Sequence, residues 1–226
     1  MTDLNKKAFI GLLWLIGIMA VSLFIPAWTV DYWQGWVFLA LFAGPAVAIT
    51  LYLMKYDPKL LERRMRAGPV AEKEKVQRII QTIASGSFIA MLVFPAIDHR
   101  LGWSGTMPVY VSVAGDSLVV IGWLVVFLVF RENSYASSTI EVGAEQKLVS
   151  TGPYAVVRHP MYVGGLVMLW GVPLALGSWW GLFTIFPITA AIIWRLLDEE
   201  NFLAGNLPGY PEYRNKVRYR LAPFVW

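Results

Sequence analysis

Apolar residues in this chain fall in long unbroken runs, not in the alternating or every-third-residue patterns of a soluble fold. Crossing a bilayer as a helix takes about 20 largely apolar residues, each rising about 1.5 Å through about 30 Å of hydrocarbon. Residues 8–28, 35–54, 79–97 and 109–130 meet that length, and a shorter pair, 161–176 and 179–197, is separated only by Gly177 and Ser178. Six helical segments are therefore expected. The fifth contains Gly164, Gly165, Gly171 and Pro173 and is marginal for a full crossing. It is read with the sixth as a tilted or partly inserted helical hairpin that turns at Gly177 and Ser178. The first run follows Lys6 and Lys7 but is not followed by a small-x-small cleavage site, so it is read as a retained span. Pro45, Pro95, Pro173 and Pro187 are expected as packed kinks whose freed carbonyls are satisfied by neighbouring helices.

The charges between these runs give a direction. Lys and Arg number two before the first run, none in 27–34, eight in 55–78, one in 98–108, three in 131–160 and five from Arg195 onward. The alternation places both termini and the 55–78 and 131–160 stretches on the cytoplasmic side. Trp33, Trp103, Trp179 and Trp180 then lie opposite, as an interfacial belt. The 55–78 stretch, with LLERRMRAG and AEKEKVQRII, reads as short surface helices. The expected architecture is an all-α, polytopic membrane bundle, with 1–130 as a scaffold of about four spans and 131–226 as the site-bearing region. Composition agrees: of 226 residues, 57% are hydrophobic and 15% charged, with mean hydropathy +0.55. A net charge of +4, once divided between two sides of a membrane, gives no sign of a nucleic-acid partner. The absence of Cys and the presence of only two His exclude disulfides, thiol nucleophiles and Cys-based metal sites, and no metal site is expected.

Polar chemistry concentrates in two stretches, 131–162 and 195–226. In the first, Ser150 to Pro153 forms a turn, Pro160 suits a first helical turn, and His159 precedes the helix start. Arg158 and His159 thus stand at a helix N-terminus, where free N–H groups favour an anion. A membrane-surface basic residue with a capping neighbour is the competing reading. In the second, Arg195 and Glu199 are four apart on one helix face and are expected to pair. Asp198, Glu199 and Glu200 run around that helix, so at least one faces its interior partners. Asp116 stands either as an interfacial residue or as an intramembrane functional acid, and His99 reads as a surface residue. Asn133 to Tyr135 read equally as a cap-and-turn or as cofactor contacts.

GPYAVVRHPMYVG, followed by RLLDEENFL and then GYPEYRNKVRYRLAP, resembles the isoprenylcysteine carboxyl methyltransferase family of membrane enzymes, which in turn resembles phospholipid N-methyltransferases. The likeness covers 133–226, with a looser match of the upstream helices in number and length. It implies methyl transfer from S-adenosylmethionine (SAM), leaving S-adenosylhomocysteine, in a cytoplasm-facing pocket with a lateral opening for a lipophilic substrate. Carried over residue by residue, it implies that Gln146, Leu148, Val149, Gly152, Tyr154, Arg158, His159, Tyr162 and Glu200 surround the cofactor. Arg195 and Glu199 are implied near the reacting centre. Many members have His where this chain has Gln146, and Gln cannot titrate, which puts a proton-transfer role there in doubt. The partners implied are membrane lipid and a lipophilic small molecule or lipidated acceptor. Carboxyl O-methylation is the leading reaction, with N-methylation of a phospholipid amine, S-methylation of a small thiol, or a non-catalytic membrane assembly protein as alternatives.

Overall fold

A computed structural model of the chain describes residues 3–72, 74–143 and 146–226. The described residues form helices and no strands: α1 (Asp3–Ala27), α2 (Trp33–Tyr56), α3 (Pro58–Met65), α4 (Lys75–Leu101), α5 (Val109–Glu132), α6 (Pro160–Ala175), α7 (Ile185–Asn206) and α8 (Tyr210–Lys216). Short 3-10 turns at Gly152–Ala155 and Trp180–Thr184 precede α6 and α7. Five helices, with Trp180–Asn206 taken as one, are long and apolar enough to cross a membrane, so the chain is an integral membrane protein. α6, at 16 residues, is shorter, in keeping with the marginal length read from the sequence. Helices such as α1 and α5 are apolar on all sides because one face meets the core and the rest meets lipid. Leu13 and Trp14 are each 68% exposed, an arrangement that only a lipid solvent makes favourable.

Two apolar clusters stack along the bundle. Met19, Leu23, Phe38, Met91, Leu92 and Val172 fill one end, while Ile49, Leu53, Leu60, Leu61, Val126 and Val129 fill the end where α3 lies. At the first end Trp28, Trp33, Trp103, Trp179 and Trp180 are all exposed, forming the expected aromatic belt. Pro95 and Pro173 pack around Gly181, whose added Cβ would lie 3.0 Å from each, so these two prolines are closely packed as expected. Asp98, buried at the end of α4, receives the Ser104 backbone N–H at 2.8 Å and the hydroxyls of Ser104 and Ser178. That knot fixes the turn before α7. His99 is exposed as expected, but its ring also stacks on Tyr32 with centroids 4.1 Å apart.

The hairpin expectation needs refinement. Gly177, with φ of 74°, turns the chain as read, yet α6 and α7 lean on different neighbours, α6 on α5 and α7 on α4. Backbone contact explains the first pairing. A Cβ at Gly115 would lie 2.2 Å from the Ala175 nitrogen, one at Gly122 2.5 Å from the Gly164 carbonyl oxygen, and one at Gly171 2.5 Å from the Gly115 carbonyl oxygen. Small residues in an apolar solvent let helix backbones touch, and dispersion across that contact replaces the hydrophobic drive that lipid cannot supply. Asp116 lies on this seam, 6% exposed, with Oδ1 lacking a hydrogen-bond partner among the described residues.

The 55–78 stretch is also corrected. Only 58–65 forms a separate short helix, capped by the Asp57 carboxylate accepting the Leu60 N–H at 3.0 Å. From Lys75 the chain has already entered α4, so the second expected surface helix is the first turns of a span. Lys73, in that stretch, and Ala144 and Glu145, between α5 and α6, lie outside the described residues.

Candidate active site

Residues of α3 to α8, with Phe42 of α2 and the polar stretch that follows α5, surround a cavity of about 490 Å³, within the range of about 300–1,000 Å³ common for ligand pockets. Gln146, Leu148, Val149, Tyr154, Arg158, His159, Tyr162, Arg195 and Glu199 all line it. Gly152 and Glu200 do not. Gly152 turns the chain at φ of 57°, where an added Cβ would meet the Glu132 carboxylate at 2.8 Å, and Glu200 stands behind Arg158 and His159. The lining continues inward to Phe42, Trp123, Met168 and Ile192, so a polar mouth runs into an apolar interior.

Glu200, 2% exposed, is the hub of the wall. One oxygen accepts Arg158 Nε at 2.6 Å and approaches His159 Nε2 at 3.2 Å, while the other accepts Arg220 Nε at 2.9 Å. Arg158 Nη1 donates to the Val217 and Arg218 carbonyls at 2.9 and 2.8 Å. The Arg158 and His159 backbone N–H groups donate to Tyr219 and Arg220 carbonyls at 2.9 and 3.0 Å. Arg158 therefore fastens the C-terminal tail to the start of α6, and its Nε and Nη1 are committed within the protein. Pro160 opens α6 with His159 at the cap position, as the sequence predicts.

The expected pairing of Arg195 with Glu199 is not found. Arg195 Nη2 pairs with Glu72 at 2.8 Å and donates to the Ser138 carbonyl at 2.8 Å, while Nη1 donates to Gln77 Oε1 at 2.7 Å. The Gln77 amide in turn donates to Asp198. Glu72 and Gln77, 2% and 1% exposed, are thereby buried polar partners; a long-range carboxylate with good geometry outcompetes a neighbour on the same helix. Glu199 instead accepts the Tyr162 hydroxyl at 2.5 Å and, among the described residues, makes no ion pair.

Asn133 makes the turn read for it, its Oδ1 accepting the Tyr135 N–H at 2.9 Å, and it also lines the cavity, where its Nδ2 donates to the Tyr154 hydroxyl at 2.9 Å. Burial pushes the Tyr154 phenol up to about 12, so it stays protonated at neutral pH. Tyr213 donates to the Tyr154 carbonyl at 2.7 Å and packs with Tyr210 and Leu207, and burial pushes both tyrosine phenols above their ordinary range. Gln146 makes a local turn, its Oε1 accepting the Gly143 N–H at 3.1 Å. Sequence reasoning missed Arg64, Glu72, Gln77, Tyr210 and Tyr213. The two tyrosines sit within GYPEYRNK and were open to being singled out; Glu72 carries no local signal.

Residues 110–207 match the sequence profile of the family described as phospholipid methyltransferase. The chain is similar to the delta(14)-sterol reductase of Mus musculus, 32% identical over 105 residues, which cover 43% of this chain and 25% of that protein. It is also similar to the cobalt-zinc-cadmium resistance protein of Cupriavidus metallidurans, 25% identical over 146 residues covering 63% of this chain and 60% of the other. The nickel-cobalt-cadmium resistance protein of Alcaligenes xylosoxydans xylosoxydans is 24% identical over 131 residues, 57% of this chain and 58% of its own. The chain thus spans a quarter of the reductase and about three fifths of each resistance protein. The reductase name shows that the similarity reaches beyond one reaction class. Over residues 110–207 the chain is therefore similar to the phospholipid methyltransferase family, which includes isoprenylcysteine carboxyl methyltransferase-like membrane proteins.

Proposed function

We propose that the chain is a SAM-dependent methyltransferase acting on a lipophilic or membrane-bound acceptor, with carboxyl O-methylation of an isoprenylcysteine-like molecule the leading reaction. The observation that carries this reading is the cavity that joins Tyr162, Glu199 and Arg158 at its mouth to Phe42, Trp123 and Met168 within the bundle. A charged cofactor and an oily acceptor can meet there. The donor set suits the cofactor: Glu199, without a cation, can take an ammonium or sulfonium, and Tyr154 and Tyr210 offer flat faces. When bound, SAM supplies an electrophilic methyl group on sulfur.

The residues of the chain contribute chiefly position, since in-line displacement needs alignment more than strong acid or base. A carboxylate acceptor is already ionised at neutral pH and requires no base. Arg195, fixed by Glu72 and Gln77, provides donors of set direction beside it, and Tyr162, whose hydroxyl hydrogen is given to Glu199, holds that carboxylate in place. Trp123, whose Nε1–H is buried without an acceptor among the described residues, provides another deeper in the cavity. By the positive-inside count the cavity and both termini face the cytoplasm, with 131–226 the main site region and Phe42, Arg64 and Trp123 reaching in from 1–130.

The test is calorimetric titration of the detergent-purified protein with SAM and with S-adenosylhomocysteine, followed by incubation with methyl-labelled SAM and a total membrane extract. Expected are saturable heat and a labelled lipophilic product that releases its label in base, as an ester does. A base-stable product would favour the phospholipid amine or thiol reading. No heat with either ligand, together with heat from a reduced nicotinamide cofactor, would refute the proposal in favour of reductase chemistry; silence with all of them would favour a non-catalytic role.

A further inference from the structure

Three guanidinium groups line the cavity, and two are neutralised by the protein itself. Arg158 rests on Glu200, and Arg195 rests on Glu72. Arg64 differs, for among the described residues it makes no ion pair. Its Nη1 donates to the Ser137 carbonyl at 3.1 Å and approaches Met161 Sδ at 3.5 Å, and its guanidinium lies 5.1 Å from the centre of the Phe130 ring. A guanidinium carries five N–H donors in a planar fork. Those on Nε and Nη2 have no partner among the described residues.

The group is held there, not left to drift into water. Leu60 and Leu61 anchor α3 in the core, and the Arg64 carbonyl accepts the Ser138 hydroxyl at 3.0 Å. Burial draws its pKa down to about 10, so it remains a cation at neutral pH. A half-buried cation against Phe130 and Met161, with no counter-ion, is unfavourable unless something else supplies the negative charge.

We propose that Arg64 is an oxyanion-receiving residue of the pocket, whose Nε and Nη2 take a carboxylate or phosphate of a bound ligand. The planar fork matches both groups. Two sources share this chemistry: the acidic headgroup of a lipophilic acceptor, and the carboxylate of the cofactor. Phe130, Met161 and Trp123 belong to one apolar cluster, which sets Arg64 at the head of the cavity's oily part. The inference rests on the cavity being a ligand site as proposed above, but not on which reaction occurs in it.

Wild-type protein, Arg64→Met and Arg64→Lys, each first checked for an unchanged thermal midpoint, would be compared in detergent in two arms. One arm titrates S-adenosylhomocysteine by calorimetry. The other crosslinks long-chain diazirine amphiphiles bearing carboxylate, phosphate or trimethylammonium heads and maps the labelled peptides by mass spectrometry. Arg64→Met is expected to lose about tenfold, or ~1.4 kcal/mol, in one arm, with part of the loss restored by lysine. Loss confined to the carboxylate and phosphate probes names the acceptor's head, and loss in the calorimetric arm names the cofactor's carboxylate. The proposal is overturned if Arg64→Met matches wild type in both arms, or if anionic and cationic probes weaken equally. Arginine-dependent labelling in a protein that binds no S-adenosylhomocysteine would sink the methyltransferase reading and leave this one standing.

Discussion

Replacing Glu200 by Gln is the sharpest test of how the pocket wall is built. The substitution keeps size and shape but removes a charge shared by Arg158, His159 and Arg220. One amide oxygen can still accept from Arg158 or from Arg220, but the new NH2 then faces the other as donor against donor. The two are not equivalent, since the Arg158 side chain is 5% exposed and that of Arg220 30%. Leaving a buried guanidinium unpaired costs about 3–5 kcal/mol, whereas the more exposed partner is worth only about 1. Arg158 will therefore keep the oxygen, and with the shared charge gone the net loss should be about 2–3 kcal/mol.

The loss has a location. The backbone N–H groups of Arg158 and His159 reach the Tyr219 and Arg220 carbonyls, so weakening the hub should release the tail from the start of α6. Hydrogen exchange at those two amides should rise alongside the fall in unfolding free energy measured in detergent. Arg158→Met with Glu200→Gln should cost less than the sum of the single changes, because the double variant leaves no unpaired charge between them. If Glu200→Gln stays within about 0.5 kcal/mol of wild type with exchange at 158 and 159 unchanged, the hub is not what holds the tail. By the same reasoning Arg158→Ala should unfasten the tail as well as alter the pocket, so a loss of activity in that variant alone would not assign it to the cofactor.

Three further outcomes follow from separate contacts. Gly122→Ala should lower the thermal midpoint by the equivalent of about 1–3 kcal/mol, because its Cβ would sit 2.5 Å from the Gly164 carbonyl oxygen, while Gly44→Ala, with nothing within 4 Å, should be neutral or stabilising. Tyr154→Phe should cost about 1 kcal/mol by breaking the bond from Asn133. Because the folded phenol is raised to about 12 from an ordinary 10.0, its protonated-state contribution should be complete below pH 10 and disappear on passing through about 12, as followed by ultraviolet titration of wild type against variant. Tyr162→Phe frees the Glu199 carboxylate from a 2.5 Å hydrogen bond and, on the methyltransferase reading, should lower turnover about tenfold while the fold survives; unchanged turnover would remove Tyr162 from the positioning set.

What the sequence made legible was governed by range. Helix number and placement depend on run length, a local property, and the spans emerged close to where the apolar windows lie. Their ends were less legible: counting apolar residues begins the third span at 79, whereas the helix starts at Lys75, and this difference puts Gln77 inside α4 as a buried partner of Arg195. Gly115 and Gly122, and Gly164 and Gly171, are spaced seven apart on their helices, a pattern visible in the sequence that marks one face of each. Glu72 offered no such pattern. It is buried only because the chain between α3 and α4 folds over the cavity mouth, and no local rule reports that.

The misassigned ion pair has a chemical consequence for the site. Spacing of four placed Arg195 beside Glu199, and had they paired, the cavity would have been balanced within one helix. Because Glu72 takes Arg195 and Glu200 takes Arg158, those two pairs in the wall are closed, and four lining charges have no ion pair among the described residues: Glu199, bound by a tyrosine hydroxyl, Arg64, bound by neutral acceptors, and Glu141 and Lys147. Charges facing a partly apolar cavity persist when a ligand completes them, since the unliganded state bears the desolvation cost. On the proposed reading, a ligand or pair of ligands presenting charges of both signs would complete Glu199 and Arg64, the two that lie beside the cavity's apolar interior, and a neutral sterol-like molecule alone would leave them open. That is the physical ground for preferring group transfer between a charged cofactor and an acidic or zwitterionic lipophile over chemistry on a neutral lipid.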